Sequence, residues 1–93
     1  MIFYYLDASA WVKRYYEEAG TTWMQSLFAQ GHTIASSSLG FVEVMATLAR
    51  KHKAQEITDS LLQEKTGELE IDWDNFIQIQ LTSEAAGIAA ALA

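Results

Sequence analysis

The chain has 93 residues, of which 51% are hydrophobic and 19% charged, with a net charge of −6 and no cysteine. This composition fits one globular domain over residues 1–93 and excludes a disordered chain, a disulfide framework and a thiolate metal site. No apolar run is long enough to span a membrane and the N-terminus lacks signal-peptide features, so we expect no membrane contact and a cytoplasmic location. The surplus of acids argues against binding nucleic acid mainly by phosphate neutralisation, and we expect no DNA-specific binding.

The chain opens with a predicted strand and helix. Residues 2–6 (IFYYL) form an unbroken apolar run, which is typical of a strand buried on both faces in a parallel sheet. Asp7 ends the strand. Ser9 is a suitable N-cap for a first helix, whose apolar spacing stops at Gly20.

A second helix and a second strand are predicted next. Thr21 or Thr22 caps a short helix that Gly31 closes. Residues 32–36 (HTIAS) are weak in strand-forming residues, but they lie between this helix and a serine cluster that is able to cap another helix. We therefore predict a strand there.

The middle of the chain predicts two further helices. The third runs from Leu39 to about His52, with an apolar set at helical spacing formed by Val42, Met45, Ala46 and Ala49. Thr58 opens a fourth helix, Gly67 interrupts it, and residues 72–75 (DWDN) are predicted to form a turn.

The C-terminal part predicts a strand and a last helix. Residues 76–81 (FIQIQL) alternate between apolar and polar, and Thr82 or Ser83 caps a helix that reaches Ala93. The resulting order, β-α-α-β-α-α-β-α, predicts a three-layer α/β fold with a parallel sheet.

Asp7 is the best single candidate for a functional residue. In open α/β sheets the functional crevice lies beyond the carboxyl ends of the strands, and Asp7 stands at such an end, just before a helix. The helix N-terminus favours an ionised carboxylate, which a Mg²⁺ or Mn²⁺ ligand must be. The alternative is that Asp7 only caps the helix or shapes a turn.

Glu43 is the second candidate, since it lies in the first turns of the helix that follows the second predicted strand. Its carboxylate therefore comes to the same end of the sheet as Asp7. An acid flanked by Phe41, Val42 and Val44 usually has a partner or a function. A solvated glutamate on the helix surface is the alternative.

These residues resemble the PIN domains, the nuclease fold of VapC-type toxins. Residues 3–20 (FYYLDASAWVKRYYEEAG) look like the family's opening strand, Asp-x-Ser and first helix. Residues 36–50 (SSSLGFVEVMATLAR) look like its second-acid helix, and residues 76–93 look like the strand and helix that precede its final acidic motif. The resemblance covers essentially the whole chain, in the family's order.

The resemblance implies a Mg²⁺- or Mn²⁺-dependent endoribonuclease, the toxin of a toxin–antitoxin system. Asp7 and Glu43 would be its catalytic residues, acting as metal ligands and not as general bases, and Ser9 would be the small hydroxyl residue beside the metal. An RNA substrate and an antitoxin-like protein partner are implied in the same way. The metal would activate a water for attack on a phosphodiester.

The sequence departs from the family pattern at its C-terminal end. The family's third and fourth acids follow the helix in which this chain ends, so the domain is expected to be incomplete and to lack the C-terminal strands. The first strand would then be a sheet edge, and an apolar edge favours association. We expect a homodimer or a higher oligomer.

Two alternative functions remain open. A non-catalytic PIN-fold module would only self-associate or bind an antitoxin-like partner, and the missing acids favour it. A phosphatase-like domain would use Asp7 as the nucleophile, but such sites commonly carry a second aspartate two positions on, where this chain has Ser9.

Other residues have simpler explanations. A set of cations either contacts RNA phosphates or offsets the dipole of the third helix: Arg50, Lys51 and Lys53. The pair Asp72 and Asp74 is expected to shape a turn. The three tryptophans, Trp11, Trp23 and Trp73, are expected in the core rather than stacked on bases.

Overall fold

Three short strands pair in parallel, in the spatial order β1-β2-β3. They are Phe3–Tyr5 (β1), Thr33–Ser37 (β2) and Ile77–Ile79 (β3). The computed structural model of the chain describes residues 3–16 and 20–80. Within these residues, Tyr4 lies opposite Ile34, and Ser36 lies opposite Gln78. The predicted α/β class with a short parallel sheet is therefore confirmed.

Within residues 3–16 and 20–80, four α-helices accompany the strands. They are Ala8–Trp11 (α1), Thr21–Ala29 (α2), Ser38–Lys53 (α3) and Asp59–Asn75 (α4), and α1 continues as a 3-10 turn over Val12–Arg14. The element order agrees with the prediction as far as β3. The predicted last helix, from Thr82 or Ser83 to Ala93, lies outside the described residues.

The prediction that the first strand is buried on both faces is wrong. Phe3 is 50% exposed and Tyr5 53% exposed, whereas four consecutive residues of β2 are buried: Ile34, Ala35, Ser36 and Ser37. Because β1 pairs only with β2 and lies at the edge of the described sheet, its faces lack the cover that the central strand receives.

The starts of the first two helices differ from the prediction. Asp7, not Ser9, is the N-cap of α1, and the helix with its 3-10 extension ends at Arg14 instead of reaching Gly20. The N-cap of α2 is Gly20 rather than a threonine, with a φ of 92° that a glycine adopts without strain.

The helix α3 agrees with its predicted range, but its fully buried residues differ from the predicted apolar set, of which Met45 packs against the core and is partly buried. The buried residues are Gly40, Val44 and Leu48, while Val42 is 59% exposed. Both sets recur at intervals of three or four residues, so periodicity alone does not distinguish them.

The helix α4 runs without interruption through Gly67, and the predicted turn at residues 72–75 is its last turn. A mid-helix glycine costs only about 1 kcal/mol relative to alanine. The Thr58 cap, whose side chain accepts from the Leu61 amide, and the burial of Leu69 offset this cost.

Trp11 is fully buried at the centre of the core, with ring contacts to Phe41, Trp73 and Phe76. The core positions predicted for Trp11 and Trp73 are confirmed, whereas Trp23 is 61% exposed. No helix in residues 3–16 and 20–80 is long and apolar enough to cross a membrane.

Candidate functional site

Two hydrogen bonds connect the carboxyl ends of β1 and β2 at Leu6, the residue before Asp7. The Leu6 amide donates to the Ala35 carbonyl (3.0 Å), and the Ser36 hydroxyl donates to the Leu6 carbonyl (2.6 Å). Ser36 has no exposed surface, so this hydrogen bond is shielded from water. The position of the backbone leading into Asp7 is therefore set by a buried serine of the neighbouring strand.

The helix α3 begins at the same end of the sheet. The Ser37 hydroxyl accepts from the Gly40 amide (3.0 Å) and caps the helix. A Cβ at Gly40 would lie 2.9 Å from Ser36 Oγ and 4.0 Å from Cε3 of Trp11. The absence of a side chain at Gly40 thus lets α3 pack closely against β2 and α1.

Asp7 is exposed and serves as a helix cap. Its Oδ1 accepts from the Ala10 amide and from the Ser9 hydroxyl, both at 2.9 Å. Within the described part of the chain, Oδ2 has no hydrogen-bond partner. The capping role that the sequence left open is thus real, but it occupies only one of the two carboxylate oxygens.

Glu43 is exposed on α3, and its side chain has no ion pair or hydrogen bond with any described residue. It lines an open groove of about 530 Å³ between α1 with its 3-10 extension and α3. The groove is lined by Ala8, Ser9, Val12, Lys13, Val42, Glu43, Ala46, Thr47, Arg50 and Lys51. The structure therefore brings Glu43 and Ser9 together, with Asp7 directly before the first lining residue.

The opposite end of this groove is cationic. Three of the six lysine and arginine residues of the chain line it: Lys13, Arg50 and Lys51. Lys53 instead borders a separate cavity with His52. The sequence indicated Arg50 and Lys51 as possible RNA contacts but missed Lys13, whose location depends on how α1 and α3 pack.

No group of three or more His, Cys, Asp or Glu residues within residues 3–16 and 20–80 is arranged to hold a metal ion. The side-chain oxygens at or beside the groove belong to two carboxylates, Asp7 and Glu43, and two hydroxyls, Ser9 and Thr47. These are hard donors of the kind that Mg²⁺ and Mn²⁺ prefer.

A second polar cluster, which the sequence analysis missed, surrounds Asp72. Asp72 is 8% exposed and accepts from Arg14 Nε (2.6 Å), Arg14 Nη2 (3.2 Å) and the Tyr15 hydroxyl (2.5 Å). Trp11 Nε1 donates to the same tyrosine oxygen (2.8 Å). The sequence predicted a turn at Asp72 in place of a continuous α4. A continuous helix would have indicated that Asp72 is buried, because it places this residue one turn after the buried Leu69.

The environment of Tyr15 predicts a loss of stability at high pH. Burial, followed by the hydrogen bond to Asp72 and the charge of that carboxylate, raises the pKa of Tyr15 far above the ordinary 10. Above pH 10 the unfolded chain releases this proton while the folded chain keeps it. The free energy of unfolding should then fall by about 1.4 kcal/mol per pH unit from this group alone.

Urea denaturation of the wild type and Tyr15→Phe between pH 9 and 11 tests this expectation. The variant should be less stable at pH 9 by about 1 kcal/mol, since Asp72 and Trp11 each lose a partner. The difference in the free energy of unfolding should shrink as the pH rises, because only the wild type contains Tyr15 and loses its contribution. The other titrating groups are common to both proteins. Parallel stability curves above pH 10 would contradict the proposed environment of Tyr15.

Comparisons with known proteins leave the family of this chain open: no protein-family model matches the sequence, and neither does any curated protein.

Proposed function

We propose that this chain is a PIN-like, metal-dependent endoribonuclease of the VapC toxin type, with Asp7 and Glu43 as its metal-binding acids. The observation that supports the proposal is that Ser9 and Glu43 line one groove, while Asp7 directly precedes its first lining residue, Ala8. Asp7 caps the helix whose next residues line this groove. The three-layer arrangement of the family, and a cytoplasmic location, are part of the same proposal.

The lack of protein partners for most of the oxygens of the two acids supports this role. Asp7 Oδ2 and the whole Glu43 carboxylate are without protein partners in the described residues, and both side chains are exposed. Two carboxylates near a groove remain available to a cation from solvent. A solvated Glu43 with no function would look the same, so the metal affinity decides between the two interpretations.

The donor set is compatible with Mg²⁺ or Mn²⁺. Mg²⁺ commonly keeps several waters and takes only one or two carboxylates, with phosphate oxygens of the substrate completing its shell. Asp7 and Glu43 would hold the ion, and Ser9 would keep Asp7 oriented through its hydrogen bond to Oδ1. A bound ion of this kind supplies an activated water and stabilises the leaving oxygen of a phosphodiester.

Calorimetric titration with Mn²⁺ tests the proposal. We expect saturable binding to the wild type at concentrations up to about 1 mM, since two carboxylates make a weak site. Asp7→Asn and Glu43→Gln should each abolish it. Asparagine is as good an N-cap as aspartate, so the first variant removes the charge while keeping the helix cap.

The control is Asp74→Asn, which removes an exposed acid of α4 and should leave Mn²⁺ binding unchanged. Cleavage of RNA in Mn²⁺ should fall by roughly 100-fold or more in the Asp7 and Glu43 variants. Absence of binding by the wild type, or equal binding by all four proteins, would contradict the proposal.

A second candidate function is a non-catalytic module that self-associates or binds an antitoxin-like protein. Two observations favour it: fewer than three acids meet at the groove among the described residues, and the edge strand β1 exposes Phe3 and Tyr5. Under this proposal the chain forms a homodimer or higher oligomer and binds no Mn²⁺. The Mn²⁺ titration separates the two candidates, and light scattering tests the expected oligomer.

A further inference from the structure

Some cations of this acidic chain form ion pairs with carboxylates of the protein, whereas others line one groove without such a partner. Arg14 pairs with Asp72, and Lys65 Nζ lies 3.5 Å from a Glu68 carboxylate oxygen. Lys13 and Arg50, in contrast, have no carboxylate partner among the described residues, although the net charge of the chain is −6. Two unpaired cations on facing walls of one groove are the pattern expected for an anion-binding site.

The guanidinium of Arg50 is held on the groove wall by a neighbouring hydroxyl. Arg50 Nη2 donates to Thr47 Oγ1 (2.9 Å), and Thr47 Oγ1 donates to the Glu43 carbonyl (2.9 Å). This chain of hydrogen bonds draws the Arg50 head group back along α3 towards Glu43. The remaining guanidinium N–H groups stay available for a ligand, at a reduced entropic cost of ordering the side chain.

Lys51 is fixed beside Arg50 by an aromatic contact. Its Nζ lies 3.6 Å from the centroid of the Tyr16 ring and forms an ion pair with Glu56 Oε2 at 4.0 Å. A cation over an aromatic face keeps its full charge. Two of the three cations that line the groove, Arg50 and Lys51, are therefore held in position by contacts within the protein.

We propose that Lys13, Arg50 and Lys51 bind successive phosphates of a single RNA strand whose scissile bond lies at the Glu43 end of the groove. This inference rests on the proposed nuclease function. Glu43 and Arg50 are seven residues apart on α3, which is ~10 Å along the helix axis, comparable with the rise of three stacked nucleotides at ~3.4 Å each. The groove would thus fix which nucleotides flank the cleaved bond.

An RNA strand fits this groove better than an acidic peptide does. Phosphates occur on every nucleotide at regular intervals and accept the forked N–H groups of arginine, so a strand is able to contact Arg50 and Lys13 together. Glu43 repels any polyanion at the other end of the groove unless a divalent cation lies between them. That requirement agrees with a phosphodiester at the acid end.

Fluorescence anisotropy with a labelled single-stranded oligouridylate tests the inference, using the full chain in EDTA so that no cleavage occurs. We expect Arg50→Gln and Lys13→Gln each to weaken binding roughly tenfold at low salt, and each to reduce the slope of log affinity against log salt by about 0.7. Thr47→Val should weaken binding roughly threefold without changing the charge, because Arg50 loses its support.

Two variants serve as matched controls. Lys53→Gln removes a cation from the same helix but outside the groove, and binding should stay within about twofold of the wild type. Glu43→Gln should strengthen binding in EDTA, since it removes the repulsive charge, while it abolishes cleavage in Mn²⁺. Circular dichroism checks that each variant is folded.

The possible results separate this inference from the proposed function. Equal losses for Arg50→Gln and Lys53→Gln, no binding by the wild type, or stronger competition by an acidic peptide than by RNA would overturn the phosphate-binding groove. Groove-dependent binding without any cleavage would support the phosphate contacts of Lys13 and Arg50 but contradict the nuclease and the placement of a scissile bond beside Glu43. Cleavage with unchanged affinity in Arg50→Gln would support the nuclease and contradict the inference.

Discussion

Replacing Asp72 by asparagine should lower the free energy of unfolding by about 3 kcal/mol. The substitution keeps the size of the side chain but leaves Arg14 without its counter-ion. It also places an amide donor next to Arg14 and the Tyr15 hydroxyl. In the wild type both of these groups donate to the Asp72 carboxylate. The expected loss lies at the lower end of the range for broken buried pairs because the Arg14 side chain is 26% exposed.

The matched control for this prediction is Asp74→Asn, two residues further along the same helix. Asp74 is exposed and lacks an ion pair with any described residue. Its replacement should therefore change the free energy of unfolding by no more than about 0.5 kcal/mol. Urea denaturation at pH 7 measures both variants. A loss below about 1 kcal/mol in Asp72→Asn would mean that the cluster around Tyr15 contributes little to the fold.

Adding a methyl group at Gly40 should destabilise the protein by about 2 kcal/mol. The new Cβ would lie 2.9 Å from Ser36 Oγ, and this hydroxyl is fixed by its hydrogen bond to the Leu6 carbonyl. Relief of the clash requires α3 to move away from β2. Because α3 carries Glu43 and the β1 end carries Asp7, the same change should also weaken Mn²⁺ binding.

The substitution Gly67→Ala is expected to stabilise the protein, in contrast to the substitution at Gly40. A Cβ at Gly67 meets nothing within 4 Å, and the residue lies inside α4. Alanine should therefore raise the free energy of unfolding by about 0.5–1 kcal/mol through its higher helix propensity. Thermal or urea denaturation of both variants tests the pair. Equal effects of the same sign would contradict the close packing at Gly40.

Much of the candidate site was predictable from local sequence. The apolar run before Asp7 indicates a strand end, and the serines before α3 indicate a cap, so Asp7 and Glu43 were expected at the same end of the sheet. The structure adds that Ser36 and Gly40 set the approach of α3. These two small residues carry no chemical signal in the sequence, because their role exists only when β2 and α3 are packed.

The sequence by itself determined the order of strands and helices up to β3, since strand runs and helix caps act over a few residues. Only the tertiary structure decided which faces are buried. It kept α4 continuous, left Phe3 and Tyr5 of β1 exposed, and placed Asp72 against Arg14, 58 residues away in the chain. It also brought Lys13 and Arg50 to opposite walls of one groove. Burial and charge pairing depend on contacts between distant segments, and periodicity within one segment does not by itself decide between two apolar faces or identify a charged partner.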